Sequence, residues 1–244
     1  MSVEFRGVHF TYPGRRAILA DFTLSVEPGE VIAVVGRSGA GKTTVLKLVN
    51  RLLLPQSGSV LVRGRDTREW DPIQLRRRTG YVFQEVGLFP HLSVEENVRI
   101  VPRLEGWAPQ RAQDRSHELL RLVGLSPDEY GAVRPAELSG GQRQRVGIAR
   151  ALAASPDVLL MDEPFGALDP VTRSEIRREF TRIQRELRTT AILVTHDMSE
   201  AFVLADRVAV VADGALIALA TPADLVHSDD GRVRALLETI PRWN

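Results

Sequence analysis

The sequence predicts an α/β protein with a mainly parallel sheet, because short apolar strands alternate with amphipathic helices along the chain. Continuous apolar runs have the length and composition of strands buried on both faces, and they lie at residues 31–35, 158–161 and 191–194. Between the last two runs, apolar residues recur at helical spacing and predict one buried stripe. The residues of this stripe are Ile176, Phe180, Ile183 and Leu187.

Two segments depart from this alternation and predict additional subdomains. The first 30 residues and residues 57–63 carry short β patterns with glycine turns, which predict an antiparallel sheet. Residues from about 86 to 150 carry helical patterns and no buried-strand run, so we expect a helical insertion between two core strands. We expect residues 1–244 to form a single domain that contains this insertion.

The composition excludes several classes of protein and of site. The 244 residues carry a net charge of +1, which favours neither nucleic acid nor an anionic membrane as a partner. The absence of cysteine excludes disulfides, thiolate catalysis and cysteine metal sites. No apolar run approaches the roughly 18 residues of a membrane span, and the longest, 208–220, is interrupted by Asp213-Gly214 and predicts a β-hairpin. Since the chain also starts without a secretory signal, we expect it to be soluble and cytosolic.

Residues 36–43 predict a phosphate-binding loop. They match the pattern G-x-x-x-x-G-K-[ST] between a predicted strand and a predicted helix, which is the context such a loop requires. Glycines let the backbone wrap an oxyanion, so that N–H groups and the positive helix end face it. Lys42, one of only two lysines among 32 basic residues, offers a compact ammonium to the β- and γ-phosphates, and Thr43 offers a hydroxyl to Mg²⁺. The predicted nucleotide-binding residues of this loop are Gly36, Ser38, Gly39, Ala40, Gly41, Lys42, Thr43 and Thr44.

Two carboxylates follow the predicted strand at 158–161. In open α/β sheets, ligands bind at the edge formed by the carboxyl ends of the strands. Asp162 is suited to hold Mg²⁺, and Glu163 is suited to polarise an attacking water as general base. The structural alternative is a pair of surface acids at a strand end, and the preceding phosphate loop argues against it.

The pentapeptide Leu138-Ser-Gly-Gly-Gln142 resembles the signature motif of the ABC ATPases, and it lies between the phosphate loop and the acidic strand as in that family. The resemblance extends over nearly the whole chain. It implies a P-loop NTPase core with a mainly parallel sheet, an N-terminal antiparallel β subdomain and an inserted helical subdomain. It also implies that the chain hydrolyses ATP with Mg²⁺. The nucleotide contacts that it implies in this motif are Ser139, Gly140, Gly141 and Gln142.

The same resemblance implies roles for residues outside these motifs. Tyr12 resembles the aromatic residue that stacks on adenine, and Gln84 resembles the glutamine that serves both catalysis and the metal site. Asp169 resembles the D-loop aspartate that contacts nucleotide, and His196 resembles the catalytic switch histidine at the γ-phosphate. Structural alternatives remain: a core residue beside a turn for Tyr12, a polar strand end for Gln84, and a helix N-cap before Pro170 for Asp169.

Two phosphate-grasping loops in one cassette predict a partner. In the ABC family, the signature loop of one subunit caps the γ-phosphate bound by the other, so we expect a head-to-tail homodimer around two ATP molecules. An apolar segment follows Gln84, and its exposure would mark an interface; its residues are Val86, Leu88, Phe89 and Pro90. In ABC importers this region receives a coupling helix of the permease, whereas packing inside the helical insertion is the alternative. The resemblance thus implies a peripheral position at the cytoplasmic face of the cell membrane, with permease subunits and, indirectly, a solute-binding protein as partners.

The amino-acid sequences of three stretches, at 81–98, 100–107 and 161–173, resemble those of the ATPases that import glycine betaine, choline and carnitine. Some of these carry paired CBS domains after the cassette, for which we expect no room before Asn244. For the tail to Trp243, we expect either a short helix or a dimer contact.

Other interpretations of the function are an importer ATPase for taurine, nitrate, polyamine or another small solute, a non-transport ABC ATPase, and a nucleotide-binding module without turnover. Missing coiled coils and basic extensions argue against the second, and Glu163 and His196 argue against the third.

Overall fold

The computed structural model describes residues 1–14 and 16–240, which form two compact units. The first unit consists of Met1–Arg76 and the chain from Thr190 onward, and the second consists of Arg77–Thr189. The strands in the described residues are β1 (Val3–Thr11), β2 (Ala17–Val26), β3 (Val31–Val35), β4 (Ser57–Val62), β5 (Arg65–Asp66), β6 (Thr79–Val82), β7 (Val158–Asp162), β8 (Thr190–Val194), β9 (Arg207–Ala212) and β10 (Ala215–Ala220). The α-helices are α1 (Lys42–Val49), α2 (Pro72–Arg77), α3 (Val94–Val98), α4 (Ile100–Leu104), α5 (Pro109–Leu122), α6 (Pro127–Tyr130), α7 (Gly140–Leu152), α8 (Pro170–Leu187), α9 (Met198–Leu204), α10 (Pro222–Leu225) and α11 (Gly231–Leu237).

The first unit contains an antiparallel sheet built largely from the N-terminal residues. Its strands pair in the order β2, β1, β4 and β5, with Val3 of β1 opposite both Val26 and Val62. Side chains of β1 alternate in burial because successive residues of a strand point to opposite faces. On the buried face, the rings of Phe5 and Phe22 meet edge to face with 5.3 Å between centroids. The antiparallel β subdomain predicted from the sequence is therefore confirmed.

The same unit contains parallel strands at its centre. β3 pairs in parallel with β8 on one side and with β9 on the other. Every residue of β3 and β8 is buried, as continuous apolar runs predict for strands covered on both faces. The predicted hairpin at 208–220 is confirmed by β9 and β10. Its tip residues Asp213 and Gly214 have φ of 50° and 79°, which a two-residue hairpin turn with the twist of the strands requires.

The second unit contains the helical insertion. β6 and β7 pair in parallel, and the helices α3 to α7 lie between them in the chain, so the predicted insertion between two core strands is confirmed. The sequence analysis did not predict β6, which has only four residues and includes Gly80. Glycine is required there because a Cβ atom would lie 2.4 Å from the carbonyl oxygen of Ala151. The small residue lets β6 approach the end of α7.

Helix α8 follows β7 in the same unit and agrees with its sequence pattern. Asp169 is its N-cap and Pro170 its first residue. Ile176, Phe180 and Ile183 are buried along one stripe.

Taken together, the parallel strands, the antiparallel sheet and the inserted helices confirm the predicted α/β fold class. Within residues 1–14 and 16–240, no helix is both long enough and apolar enough to cross a membrane. Of the tail to Trp243, for which a short helix or a dimer contact was predicted, residues 241–244 lie outside the described residues. The described part before them contains the short helix α11, and a dimer contact stays a prediction.

Candidate functional site

The predicted phosphate loop connects β3 to α1 in the first unit. Helix α1 begins at Lys42, and the preceding Gly41 is its N-cap, with a φ of 98° in the left-handed region. No side chain accepts a hydrogen bond at this cap. The N–H groups at the start of a helix need acceptors, and they carry the positive end of the helix dipole. The start of α1 is therefore suited to an anionic ligand.

Glycine is required at both ends of the loop because other chain segments pass close to it. A Cβ atom at Gly36 would lie 2.2 Å from the carbonyl oxygen of Val211 in β9. A Cβ atom at Gly41 would lie 2.8 Å from the carbonyl oxygen of Ile18 in β2. Gly39 in the middle of the loop has a φ of 82° and open space beside it. Because the loop is fixed at its ends and open in its middle, phosphate groups fit this cradle.

The ammonium group of Lys42 lies against the backbone of this loop. The side chain is buried, and its Nζ donates hydrogen bonds to the carbonyl oxygens of Gly36 at 2.8 Å and of Arg37 at 3.1 Å. An ammonium has three donors on a compact charge, so it can serve loop carbonyls and phosphate oxygens together. Thr43 is half-buried and Thr44 is buried, both in the first turn of α1.

Tyr12 lies in the connection between β1 and β2, just before the segment that contacts the phosphate loop. Its ring is half-buried and meets Phe10 edge to face, with 4.9 Å between centroids. The connection leads into β2, whose Ile18 lies against Gly41. This placement is compatible with both predicted roles, the adenine platform and the residue packed beside a turn.

His196 lies at the same sheet edge as the phosphate loop. Val34 of β3 pairs with Val194 of β8 in parallel, so the residues that follow the two strands leave the sheet side by side. The His196 side chain is exposed. The neighbouring turn is fixed, because buried Thr195 accepts a hydrogen bond from the Asp197 N–H at 3.0 Å and Asp197 caps α9.

The two predicted carboxylates lie in the second unit, at the end of β7. Asp162 is the last residue of the strand, and Glu163 follows with a φ of 45°, a left-handed conformation that is uncommon for a residue other than glycine. Such strained positions are frequent at functional sites. Gln84, two residues after β6, approaches Glu163 with 3.5 Å between Nε2 and Oε2. The structure thus brings together two residues that lie 79 positions apart in the chain.

Tyr81 is a residue of this site that the sequence analysis missed. Its hydroxyl donates to Oδ2 of Asp162 at 3.4 Å, and its ring stacks on Phe83 with 4.3 Å between centroids. Burial raises the pKa of Tyr81, and the Asp162 carboxylate raises it further, so the hydroxyl stays a donor. The aromatic pair directly before Gln84 was the signal that could have identified it.

The signature residues form the start of α7. Ser139 and Gln142 make a reciprocal capping box: the Ser139 Oγ accepts from the Gln142 N–H at 3.2 Å, and the Ser139 N–H donates to Gln142 Oε1 at 2.8 Å. Gln142 also donates to the Tyr130 hydroxyl at 3.3 Å. Ser139 and Gly140 are exposed, whereas Gly141 is buried, and a Cβ atom at Gly141 would lie 2.5 Å from Thr172. The loop is therefore preorganised and accessible from outside the unit.

Asp169 acts as the N-cap of α8. Its Oδ1 accepts from the N–H groups of Val171 and Thr172, both at 3.1 Å. Hydrogen bonds from Thr172 first, and also from Val171, hold the pKa of this exposed carboxyl below its usual value. The predicted capping role is confirmed, and a nucleotide contact stays a prediction.

The apolar segment after Gln84 is partly packed and partly exposed. Val86 is half-buried against Gly147 of α7, where a Cβ atom would lie 2.4 Å from Val86 Cγ1. Phe89 is 41% exposed, and Phe83 is 45% exposed. Packing inside the insertion is therefore confirmed for Val86. Phe89 faces outward, and an interface at the exposed part of the segment stays a prediction.

Comparisons with known proteins agree with these motifs. The profile of the family described as ABC transporter matches residues 19–166. The carnitine transport ATP-binding protein OpuCA of Listeria monocytogenes is 45% identical over 93% of this chain, which spans 57% of that relative. The glycine betaine/carnitine/choline transport ATP-binding protein OpuCA of Bacillus subtilis is 46% identical over 93% of this chain, which spans 59% of it. The glycine betaine uptake system ATP-binding protein YehX of Escherichia coli is 45% identical, with 92% of this chain and 72% of the relative covered.

A solved structure supports the fold in the same way. The ATP-binding cassette MJ0796, determined as a dimer in a post-hydrolysis state with ADP and Pi, superposes with a TM-score of 0.79. The match covers 90% of this chain and 98% of that one, with 32% sequence identity.

Proposed function

This chain belongs to the ABC transporter family, and from that premise we propose that it is the ATP-hydrolysing subunit of an importer for glycine betaine or a related quaternary amine. The proposal for the solute rests on one observation: relatives named for carnitine, choline and glycine betaine transport are 45–46% identical over 92–93% of this chain. The chain spans only 57% and 59% of two of these relatives. The solute and the assembly are therefore proposals about a complex of this cassette with its partners.

The nucleotide of this proposal is ATP. The phosphate groups occupy the cradle between Gly36 and Gly41, with the Lys42 ammonium and the first N–H groups of α1 as donors. Tyr12 stacks on the adenine, in keeping with its place before the strand that contacts the loop. These donors lie on rigid elements, so they hold the phosphates with little reorganisation.

The metal of this proposal is Mg²⁺, for which the resemblance to the ABC family implies the Thr43 hydroxyl, the Asp162 carboxylate and the Gln84 amide oxygen as the groups that would hold it. Hydroxyl, carboxylate and amide oxygens form the hard donor set that Mg²⁺ prefers. When bound, the ion neutralises charge that develops on the β- and γ-phosphates.

The chemistry assigned to the protein is the activation and orientation of water. Glu163 accepts the proton of the attacking water as general base, and Gln84, whose amide reaches Glu163 in the structure, orients that water. His196 contacts the γ-phosphate from the carboxyl end of β8. Asp169, whose carboxyl is held ionised by its hydrogen bonds, contacts nucleotide from the D-loop.

The closing half of the site comes from a second copy. The exposed Ser139 and Gly140 lie at the start of a thirteen-residue helix, which attracts an anion, and the partner's γ-phosphate is the anion that we assign to them. The proposed assembly is a head-to-tail homodimer with two ATP molecules. The chain works as one cassette over residues 1–244, with the helical subdomain at about 86–150 facing the permease.

The permease provides the transport path. We assign the exposed apolar side chains around Gln84, chiefly Phe83 and Phe89, to the contact with its cytoplasmic face. This places the chain peripherally at the inner surface of the cell membrane, with a solute-binding protein delivering cargo to the permease. ATP favours the closed dimer, and hydrolysis favours the open one, so nucleotide turnover drives the change of access.

Reconstitution with the membrane protein that co-purifies with this chain tests the proposal. Proteoliposomes containing ATP should accumulate a labelled quaternary amine, and the matched Glu163→Gln assembly should bind ATP without sustained accumulation. Uptake of taurine, nitrate or a polyamine in preference to every quaternary amine would refute the proposed solute. ATP hydrolysis without any effect on transport would refute the importer.

A further inference from the structure

The segment that follows Gln84 is fastened to α7 by a buried cation. Arg150, in the last turn of α7, has only 9% of its surface exposed. Its Nη2 donates to the carbonyl oxygen of Val86 at 2.6 Å, and its Nη1 donates to that of Gly87 at 2.7 Å. Burial lowers the pKa of Arg150, which shows how poorly its surroundings solvate the charge.

Loss of these two contacts would leave a buried guanidinium without its acceptors. A buried charge is tolerated only when hydrogen bonds replace its hydration, and breaking them costs far more than an exposed bond would. The backbone at Val86 and Gly87 therefore follows α7 whenever that helix moves.

Side-chain packing supports the same attachment. Val86 Cγ1 occupies the space where a Cβ atom of Gly147 would be, 2.4 Å away, one turn before Arg150 on α7. Further along the segment, fully buried Asn97 of α3 accepts from the Phe89 N–H at 2.8 Å and donates to the Phe89 carbonyl at 3.1 Å. The segment is thus held at two points, while Gln84 itself reaches back to Glu163.

The first turn of α7 contains the other half of the proposed ATP site. Ser139 caps this helix, and Arg150 lies eleven residues later on the same rigid element. We infer that Arg150 is a positioning residue. It couples residues 85–89, which follow Gln84, to the signature loop at Ser139, so that the two move as one body. This inference rests on the proposed function, because it concerns the glutamine and the loop assigned to ATP.

Amide hydrogen exchange of the nucleotide-free chain tests the attachment without any need for ATP. Arg150→Lys keeps the charge but cannot bond both carbonyl oxygens with the same geometry. Exchange within residues 85–89, chiefly at the Phe89 amide that donates to Asn97, should therefore become about tenfold faster. Arg145→Lys is the matched control, since Arg145 lies on the same helix but bonds Glu179 and the Val123 carbonyl. It should leave exchange at 85–89 unchanged.

Two substitutions that change the packing of α7 against position 86 keep the test decisive if Arg150→Lys folds poorly. Gly147→Ala should displace Val86 and also speed exchange at 85–89. Adding Val86→Ala should restore slow exchange, because the nearest remaining atom, the Cβ at position 86, lies 3.7 Å from the new methyl group. Unchanged exchange in both Arg150→Lys and Gly147→Ala would overturn the inference.

Movement as one body is tested by a distance. The chain has no cysteine, so cysteines introduced at exposed Glu85 and Ala136 would be the only residues that a thiol-reactive spin label modifies. The distance between them should stay narrow and unchanged when a non-hydrolysable ATP analogue with Mg²⁺ is added, and it should broaden in Arg150→Lys. If the analogue changes this distance in the chain that keeps Arg150, the coupling is overturned. Failure of the chain to bind the analogue would contradict the proposed function instead, and the exchange measurements would still decide the role of Arg150.

Discussion

The phosphate loop and the signature loop both place glycines at the start of a helix, but they satisfy that helix differently. At α1 the N-cap is Gly41, and no side chain accepts a bond there. At α7 the N-cap is Ser139, whose hydroxyl already accepts from Gln142 in a complete capping box. The first loop is therefore a ready anion site, whereas the second is satisfied on its own and offers its remaining donors outward.

In the proposed assembly, this difference gives one chain two phosphate-binding loops of unequal strength. The open cap of α1, together with the buried Lys42, suits a ligand held tightly by a single copy. The closed cap of α7 has less to gain from an anion, so it suits a contact made only after nucleotide is already in place. In the proposed dimer, we therefore expect closure to depend on ATP.

The substitution with the greatest predicted effect separates nucleotide binding from the chemical step. Glu163→Gln removes the proposed general base but keeps the shape of the side chain, so the turnover rate should fall by about 10²–10⁴. ATP affinity should change little, because neither loop is altered. Phosphate release and equilibrium nucleotide binding measure the two quantities, and Glu175→Gln, an exposed acid on α8, is the matched control. A variant with normal turnover would exclude Glu163 as the base.

The next effect tests the stronger loop. Lys42→Ala removes a charge-assisted donor, which should weaken ATP binding to the isolated chain about tenfold to a hundredfold. Lys47→Ala on the same helix is the control, since Lys47 lies in its last turn. Titration with a fluorescent ATP analogue measures both. Equal affinities for the two variants would contradict the role given to the loop.

The weaker loop should behave differently. Ser139→Ala should leave ATP binding to the isolated chain within about twofold, yet lower the affinity of the ATP-dependent dimer about tenfold through one lost hydrogen bond to phosphate. It should also lower the free energy of unfolding by about 1 kcal/mol, because α7 loses its cap. Ser93→Ala removes the equivalent cap of α3 and should reproduce only the loss of stability. If Ser93→Ala also weakens the dimer, the effect of Ser139 is structural.

The smallest effect concerns the positioning of Asp162. Tyr81→Phe keeps the ring stacked on Phe83 and removes the hydroxyl that contacts Asp162. Because the bond is long, the Mg²⁺ concentration for half-maximal binding of ATP should rise by only about threefold to tenfold. Tyr130→Phe, which removes a hydroxyl bonded to Gln142, should leave that concentration unchanged. An unchanged value in Tyr81→Phe would show that Asp162 is positioned by other contacts.

Much of the fold could be predicted from sequence because its strongest signals are local. Continuous apolar runs identified β3, β7 and β8, and the tip residues Asp213 and Gly214 identified the hairpin. β6 was missed because four residues that include a glycine carry too little pattern. The contact that requires Gly80, with Ala151 of α7, is distant in sequence and leaves no local trace.

The site residues divide in the same way. Gly36, Lys42 and Ser139 belong to motifs with fixed spacing, so their types and order sufficed to find them. Tyr81 and Arg150 act through partners 81 and 64 positions away, and nothing in their own neighbourhood announces those partners. Buried polar contacts of this kind are visible only once the chain is folded.

Mixing two inactive chains tests most directly whether one ATP is held by the phosphate loop of one copy and the signature loop of the other. Both chains carry Glu163→Gln, one adding Lys42→Ala and the other Ser139→Arg. Each alone should sediment as a monomer with ATP and Mg²⁺, while the mixture should form a dimer that retains one ATP in its single intact composite site. If the mixture stays monomeric under conditions where Glu163→Gln alone dimerises, or if Lys42→Ala dimerises with itself as readily, the two loops do not share a nucleotide.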